Sequence, residues 1–322
     1  MTQHQDRLEP GGWRQYGPLL VALGYGLAFH LPQGASGLGL YWQSPLMFSI
    51  LAGLVMALTC RPVLSRIPWS RGSALLVGAL LLLGAGLPAD WLAAWLLEAG
   101  RLASFPLNMR KDPSGALLGA LVAAALMAWV YRPARGPVTL DDLWRRIRSG
   151  AMASRLARLA ALGALAVVVQ LLVAWADARW EEGGESIYIR LVHPNPWLRL
   201  EGILERGGDP GADPGGFSGA LLFCAVLWLR GMLAVLPLLP VSLALKGRWS
   251  QLALVYASLL FVLGEFAPLM MDQPYPSGGW LIARTGLGLF RSAVLGGAMA
   301  ALIRLPPPRQ GGAPGGQVKS AG

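Results

Sequence analysis

The sequence predicts an all-α membrane protein, a polytopic helical bundle with about eight transmembrane helices and both termini in the cytoplasm. Three observations predict it. First, 54% of the residues are apolar and only 14% are charged, against roughly 25% charged in ordinary soluble domains. Second, the apolar residues gather in long runs, such as 73–89, 115–131 and 250–271. About 20 residues at about 1.5 Å each cross the roughly 30 Å hydrocarbon core, and helices satisfy their own backbone where lipid offers no partner. Third, placing the loops between the runs alternately on two sides gathers most of the basic residues on one side.

The spans expected in order are 17–32, 43–60, 73–89, 115–131, 157–177, 219–244, 250–271 and 280–303, forming one bundle over 17–304. The first is the weakest, being short and carrying His30. Residues 1–16 form a polar cytoplasmic tail with Arg7 and Arg14. Residues 305–322, rich in Pro and Gly, read as a disordered cytoplasmic tail. No cleavable signal peptide is visible. Placing the loops alternately on two sides puts 17 Lys/Arg and 4 Asp/Glu on one side, and 7 Lys/Arg and 12 Asp/Glu on the other. The positive-inside rule makes the first side cytoplasmic. The formal net charge of +10 thus faces anionic lipid headgroups, and nucleic acid is not expected as a partner. The predicted location is a bacterial inner membrane.

Two extramembrane elements stand out. Residues 137–156 read as a cytoplasmic amphipathic helix. Thr139 and Asp142 resemble a capping box; Leu140, Leu143, Trp144 and Ile147 share one face, flanked by Arg145, Arg146 and Arg148. Residues 178–218 read as a periplasmic cap loop. Its 186–192 stretch alternates like a strand, and 197–204 has the composition of a short interfacial helix. Trp91 and Trp95, one turn apart, suit the outer interface.

Four charges fall well inside the spans, away from their ends: Arg230, Glu265, Arg284 and Arg291. An ionisable side chain in hydrocarbon is costly, so it faces a protein interior or a water-filled cavity. Counting from the outer ends, Glu265 and Arg284 lie at a shallow level. Arg230 and Arg291 lie near mid-bilayer. Arg284 and Arg291 are seven residues apart and share one helix face. Nearest depth pairs Glu265 with Arg284. Arg keeps its proton in proteins, so Arg230 and Arg291 need another compensation. An anion held by guanidinium forks is one. Backbone carbonyls freed by Pro237 and Pro240 are a second; a water-filled vestibule and a partner's carboxylate are others. Arg230, Arg291 and Arg284 are therefore the candidate ligand-binding residues. Ser292, Gly296 and Ala300 continue a small-residue series that permits close helix contact.

Gly34-Ala35-Ser36-Gly37 resembles the serine motif of rhomboid intramembrane proteases, in which a histidine on a later helix acts as base. The resemblance covers four residues. Here they lie in the link between the first two spans, His30 precedes them, and His193 sits in the outer loop. A glycine-rich turn is the plainer reading. No HExxH, CxxC, P-loop or GxGxxG is present. Cys60 and Cys224 have no ligand spacing. Hence no metal, cofactor or catalytic residue is expected. The functional reading is transport or handling of an anionic or lipid-linked molecule. The alternative is a non-catalytic membrane subunit or assembly factor with membrane-protein partners, followed by an intramembrane transferase.

Overall fold

The structure is a computed structural model. It describes residues 15–33, 45–67, 69–84, 113–131, 139, 141, 142, 145, 152–181, 200, 201, 204, 216–245, 247–271 and 278–303. The ordered elements are helical. In chain order they are α1 (Gly17–His30), α2 (Pro45–Arg66), α3 (Arg71–Gly84), α4 (Pro113–Val130) and α5 (Met152–Glu181), followed by α6 (Gly216–Val235) and α7 (Leu239–Ala244), then α8 (Trp249–Phe261), α9 (Ala267–Met271) and α10 (Gly278–Leu302). A 3₁₀ turn, Leu236–Leu238, joins α6 to α7, and a π-helical turn, Val262–Phe266, joins α8 to α9.

Among the described residues there are eight apolar helical stretches, one for each expected span. Five are long and apolar enough to cross a membrane: Pro45–Ser65, Ser154–Ala176, Phe217–Ser242, Trp249–Met270 and Leu281–Leu302. Three are shorter: Gly17–His30, Arg71–Gly84 and Ser114–Val130. The expected third span continues to 89, and its last residues lie outside the described ones. The fifth helix is longer than expected. It begins at Met152, inside the stretch assigned to the surface helix, and ends at Glu181.

The outer surface suits lipid. Large apolar side chains stand exposed on one helix after another: Leu23 and Leu27 on α1, Leu117 and Leu121 on α4, Val168, Leu172 and Trp175 on α5, Ile282, Leu289 and Phe290 on α10. On α1, α4 and α5 their spacing of three and four residues makes continuous apolar stripes. A soluble surface seldom carries contiguous apolar patches of this extent. The core side of the helices is also apolar, so the burial pattern separates protein-facing from lipid-facing residues rather than apolar from polar ones.

The bundle has two parts. α1, α2, α3 and α4 pack against one another, while α5 pairs with α6 and α8 with α10. α10 also packs on α5, and the α9 end of the seventh span packs on α2. The α8–α10 contact is the most extensive in the molecule. Its register follows from two glycines. A Cβ on Gly288 would lie 3.2 Å from Cβ of Glu265, and one on Gly296 would lie 2.7 Å from Cα of Ala257. Eight residues forward on α10 thus match eight residues back on the seventh span, so the two run antiparallel. Ser292 and Ala300 are buried in the same seam, as the small-residue series predicts.

The extramembrane elements are described in part. Thr139 and Asp142 form the expected capping box: the Asp142 amide donates to Thr139 Oγ1 over 3.2 Å, and the Thr139 amide donates to Asp142 Oδ2 over 3.1 Å. Arg145 then donates to Asp142 Oδ1 over 2.9 Å. The apolar face of that helix lies outside the described residues. In the cap loop, residues 200, 201 and 204 are helical, within the expected 197–204. Leu200 packs with Val167 and Leu171 of α5 against Ala220, Phe223, Val226 and Leu227 of α6. The strand-like stretch 186–192, Trp91, Trp95, residues 1–14 and the C-terminal tail lie outside the described residues.

Thr139→Ala removes the hydroxyl that accepts the Asp142 amide. Loss of an N-cap of this kind costs about 1 kcal/mol. The expected result is faster proteolysis within 139–151 with no change in the unfolding of the bundle, read by limited digestion.

Candidate functional site

Two helix interruptions and one long helix build the site. In the sixth span, Pro237 and Pro240 lack the N–H that a helix interior needs, and the chain tightens into a 3₁₀ turn at Leu236–Leu238. The break sits under α3, where the ring of Pro237 lies against Gly84. In the seventh span, Pro268 cannot donate to the carbonyl of Gly264, and its ring crowds that oxygen. The ladder widens just before it, and the Ala267 amide reaches Val262, five residues back. Glu265 lies inside this π turn. Such turns within α-helices recur at functional sites.

Glu265 forms its ion pair with Arg291. Nearest depth had paired it with Arg284. The register explains the difference. Glu265 stands opposite Gly288, with Arg291 three residues to one side and Arg284 four to the other, about 4.5 Å and 6 Å along the axis. Helical side chains lean toward the N-terminus of their own helix. Arg291 therefore leans toward Gly288 and the carboxylate, whereas Arg284 leans away. Because α8 and α10 are antiparallel, Glu265 leans toward the level of Arg291 as well. Gly288 has no side chain to separate them. Both partners are mostly shielded, with side-chain exposures of 20% for Arg291 and 24% for Glu265.

The ion pair borders a cavity of about 40 Å³. Its charged and polar lining is Arg230 from α6, Glu265 from the π turn, and Arg291, Ser292 and Gln170 from α10 and α5. Ala166, Ala234, Leu260 and Leu295 supply apolar walls, and Gly231 and Gly264 leave room between the helices. Arg230 and Arg291, expected to converge on mid-bilayer, do line one cavity. Arg284 is not part of its lining. Counted from Gly216 and Gly278, the two cavity arginines lie about 21 Å and 20 Å along their helices, which preserves the matched depth.

Gln170 is the residue that sequence reasoning missed. It is buried, at 8% exposure, and brings α5 into a site expected from the last three spans alone. The available signal was a lone amide in the otherwise apolar run 159–176. Buried polar groups in lipid are expected to find hydrogen-bonding partners, so such an amide marks a polar interior. The Gly163–Gly231 crossing holds α5 close to α6 here. A Cβ on Gly231 would come within 3.2 Å of the Gly163 carbonyl oxygen. Trp228 braces the same crossing by donating its indole N–H to the Ala160 carbonyl over 2.9 Å.

His30 belongs to a separate, buried contact. Its Nε2 lies 3.0 Å from Ser49 Oγ, and that hydroxyl donates to the Pro45 carbonyl over 2.9 Å. With the hydroxyl hydrogen committed to Pro45, the imidazole N–H donates to Ser49. This ties the end of α1 to the start of α2. Gly34-Ala35-Ser36-Gly37 and His193 lie outside the described residues. Among the described residues, no cluster of three or more His, Cys, Asp or Glu has the arrangement of a metal site.

Comparison with models of known families, with curated proteins and with solved structures gave no significant match for this chain.

Chemically, the cavity offers donors. Two guanidinium groups and an amide converge on a space bounded by one carboxylate. The carboxylate satisfies part of the positive charge. Guanidinium and amide donors of this kind suit an oxygen-rich anion.

Proposed function

We propose that this protein crosses a bacterial-type inner membrane eight times, with both termini cytoplasmic, and binds the anionic group of a membrane-associated molecule between its fifth and eighth spans. The observation that carries the reading is the convergence of Arg230 and Arg291 on one cavity from two different helices. Two arginines that keep their protons stand there with one carboxylate, Glu265. Guanidinium forks suit the oxygens of an acidic group. The apolar side chains exposed on the outer faces favour a ligand that reaches the site from the bilayer, so transport or handling of an anionic amphiphile is the functional class. Arg284, two turns away along α10, is proposed as a secondary contact on the approach to the cavity.

The proposed sidedness rests on the charge asymmetry between loops, and the number of crossings on the eight apolar runs. Alkaline phosphatase fused after residue 210 is expected to be active, and fused after residue 136 inactive. The reverse pattern contradicts the proposed orientation.

Ligand binding is tested by mass spectrometry of the intact protein released from detergent. An acidic phospholipid is expected to stay bound to the natural protein. Arg230→Gln with Arg291→Gln is expected to weaken its retention by at least about tenfold, the equivalent of about 1.4 kcal/mol. Equal retention by both proteins contradicts the reading. Stoichiometric protein partners in place of lipid favour a subunit of a larger membrane complex.

A further inference from the structure

We infer that the cavity is the floor of a hydrated cleft that opens toward the end of the bundle proposed to be periplasmic, and that an apolar layer and the contact of Arg158 with Leu302 shut it toward the other end. The inference rests on the binding reading above and deepens it by giving the ligand one side of entry. The two hydrophobic cores carry it. Among the described residues, the buried side chains of the main core reach along α5 only as far as Ala166, join α6 from Val235 onward and join α10 from Leu295 onward. The cavity continues past those points to Gln170, Arg230 and Arg291. Three of its four walls thus belong to the main core on one side of the cavity alone. The fourth wall, the seventh span, stays against α2.

Beyond the cavity, α5 and α6 keep a small core of their own, in which Val167 and Leu171 pack on Phe223, Val226 and Leu227. α10 contributes nothing to it. From Leu281 to Phe290 every side chain of α10 is at least partly exposed, and Gly288 has none. That length makes nearly three turns, so no side of the helix is covered there by a packed core. Val169, Ala174 and Ala178 of α5 are buried but belong to neither core. The ion pair indicates what fills the space. Glu265 and Arg291 keep part of their side-chain surface exposed, and a charged group at this depth faces protein or water rather than hydrocarbon. The exposed part therefore faces water. Toward the other end the packing is closed. Leu162, Leu238 and Met299 have no exposed surface. Each lies one turn from a cavity wall residue, Ala166, Ala234 or Leu295, so together they form a layer about 6 Å below the floor. Farther on, Arg158 Nη1 donates to the Leu302 carbonyl over 2.9 Å. This contact ties α5 to the end of α10, where carbonyls lack helical partners and a cation is favoured.

The test is side-specific thiol labelling of the full chain in right-side-out and inverted membrane vesicles. Cys60→Ala with Cys224→Ala gives a background without thiols. Three further changes are made in it one at a time. Ala234→Cys and Ser292→Cys lie in the cavity. Ser154→Cys lies at an exposed position near the Arg158 end. The probes are membrane-impermeant methanethiosulfonates, the anionic sulfonatoethyl and the cationic trimethylammonioethyl reagents. Labelling is read from the mass of the intact protein. Ser154→Cys reports which vesicles present the Arg158 end to the reagent. The expected result is that both cavity variants label in the vesicles where Ser154→Cys does not, and stay unlabelled where it does.

Labelling of the cavity variants from the Ser154 side, or equally from both sides, overturns the closed floor. Labelling from neither side, in variants that label once unfolded, overturns the hydrated cleft. If one cavity variant does not fold, the other decides alone. Sidedness is scored against Ser154→Cys, so an inverted topology is detected separately, by the phosphatase fusions. Labelling needs no ligand. Loss of lipid retention together with one-sided labelling therefore overturns the anion reading and supports the cleft.

Discussion

Glu265→Leu is expected to lower the stability of the solubilised protein by about 3 kcal/mol, the scale for removing one partner of a shielded ion pair. Arg291→Leu is expected to cost less. The asymmetry follows from acid–base chemistry. Without Glu265, the Arg291 guanidinium keeps its charge in a poorly hydrated seam. Without Arg291, the Glu265 carboxyl can take up a proton and become neutral. Replacing both by leucine is expected to recover much of the loss, because apolar residues of similar volume often substitute well for shielded pairs. Thermal unfolding of the four proteins in one detergent checks the order. Equal losses from the two single changes, or a double variant worse than either, contradict it.

Gly296→Val is expected to have an effect of similar size through packing alone. A Cβ at this position meets the backbone of Ala257, with Cα at 2.7 Å. Backbone atoms of a packed helix cannot turn aside as a flexible side chain can. The α8–α10 seam must open, and inserting bulk into a packed interface costs about 1–3 kcal/mol or more. Opening this seam also separates Gly288 from Glu265, so the ion pair and the cavity are expected to loosen together. Gly286 gives the control. Nothing lies within 4 Å of a Cβ built there, and Gly286→Ala is expected to be neutral or to stabilise by up to about 1 kcal/mol, since alanine is the better helix former. Unfolding midpoints for Gly296→Val and Gly286→Ala, measured side by side, separate close packing from glycine content.

The sequence-to-structure relation differs from element to element. Helical spans were legible because lipid imposes length and apolarity on each segment separately. The eight expected runs return as eight apolar helices, five of them of membrane-crossing length. Thr139 and Asp142 were legible for a similar reason, since a cap is local chemistry at fixed spacing. The small-residue seam at Ser292, Gly296 and Ala300 was legible as a tendency to pack, but not its partner. Choosing between Arg284 and Arg291 required more than depth. It required the rotational phase of two helices and the lean of their side chains, set by Gly288 opposite Glu265. Depth alone places Glu265 between the two arginines, nearer to Arg284, and does not reveal the ion pair with Arg291. The π turn had one local signal, Pro268 three residues after Glu265. Gln170 had only its polarity. Both gain meaning when α5, α6, α8 and α10 are brought around one cavity.

The arginine cavity also connects stability to function. The same carboxylate that holds Arg291 occupies the place where an incoming anion would find its partner. Binding then competes with the ion pair or adds to it through Arg230 and Gln170. The glycines at 231, 264 and 288 keep the helices close enough for all four groups to converge, so changes at these positions are expected to alter binding as well as packing.

The most direct measurement is an experimental structure of the full chain in a lipid nanodisc containing acidic phospholipid. The expected result is headgroup-shaped density in the cavity, within hydrogen-bonding distance of Arg230 and Arg291, with its tails along the outer faces of the fifth to eighth spans. A cavity holding only water while Arg230 and Arg291 point to different surfaces would contradict the anion-binding role.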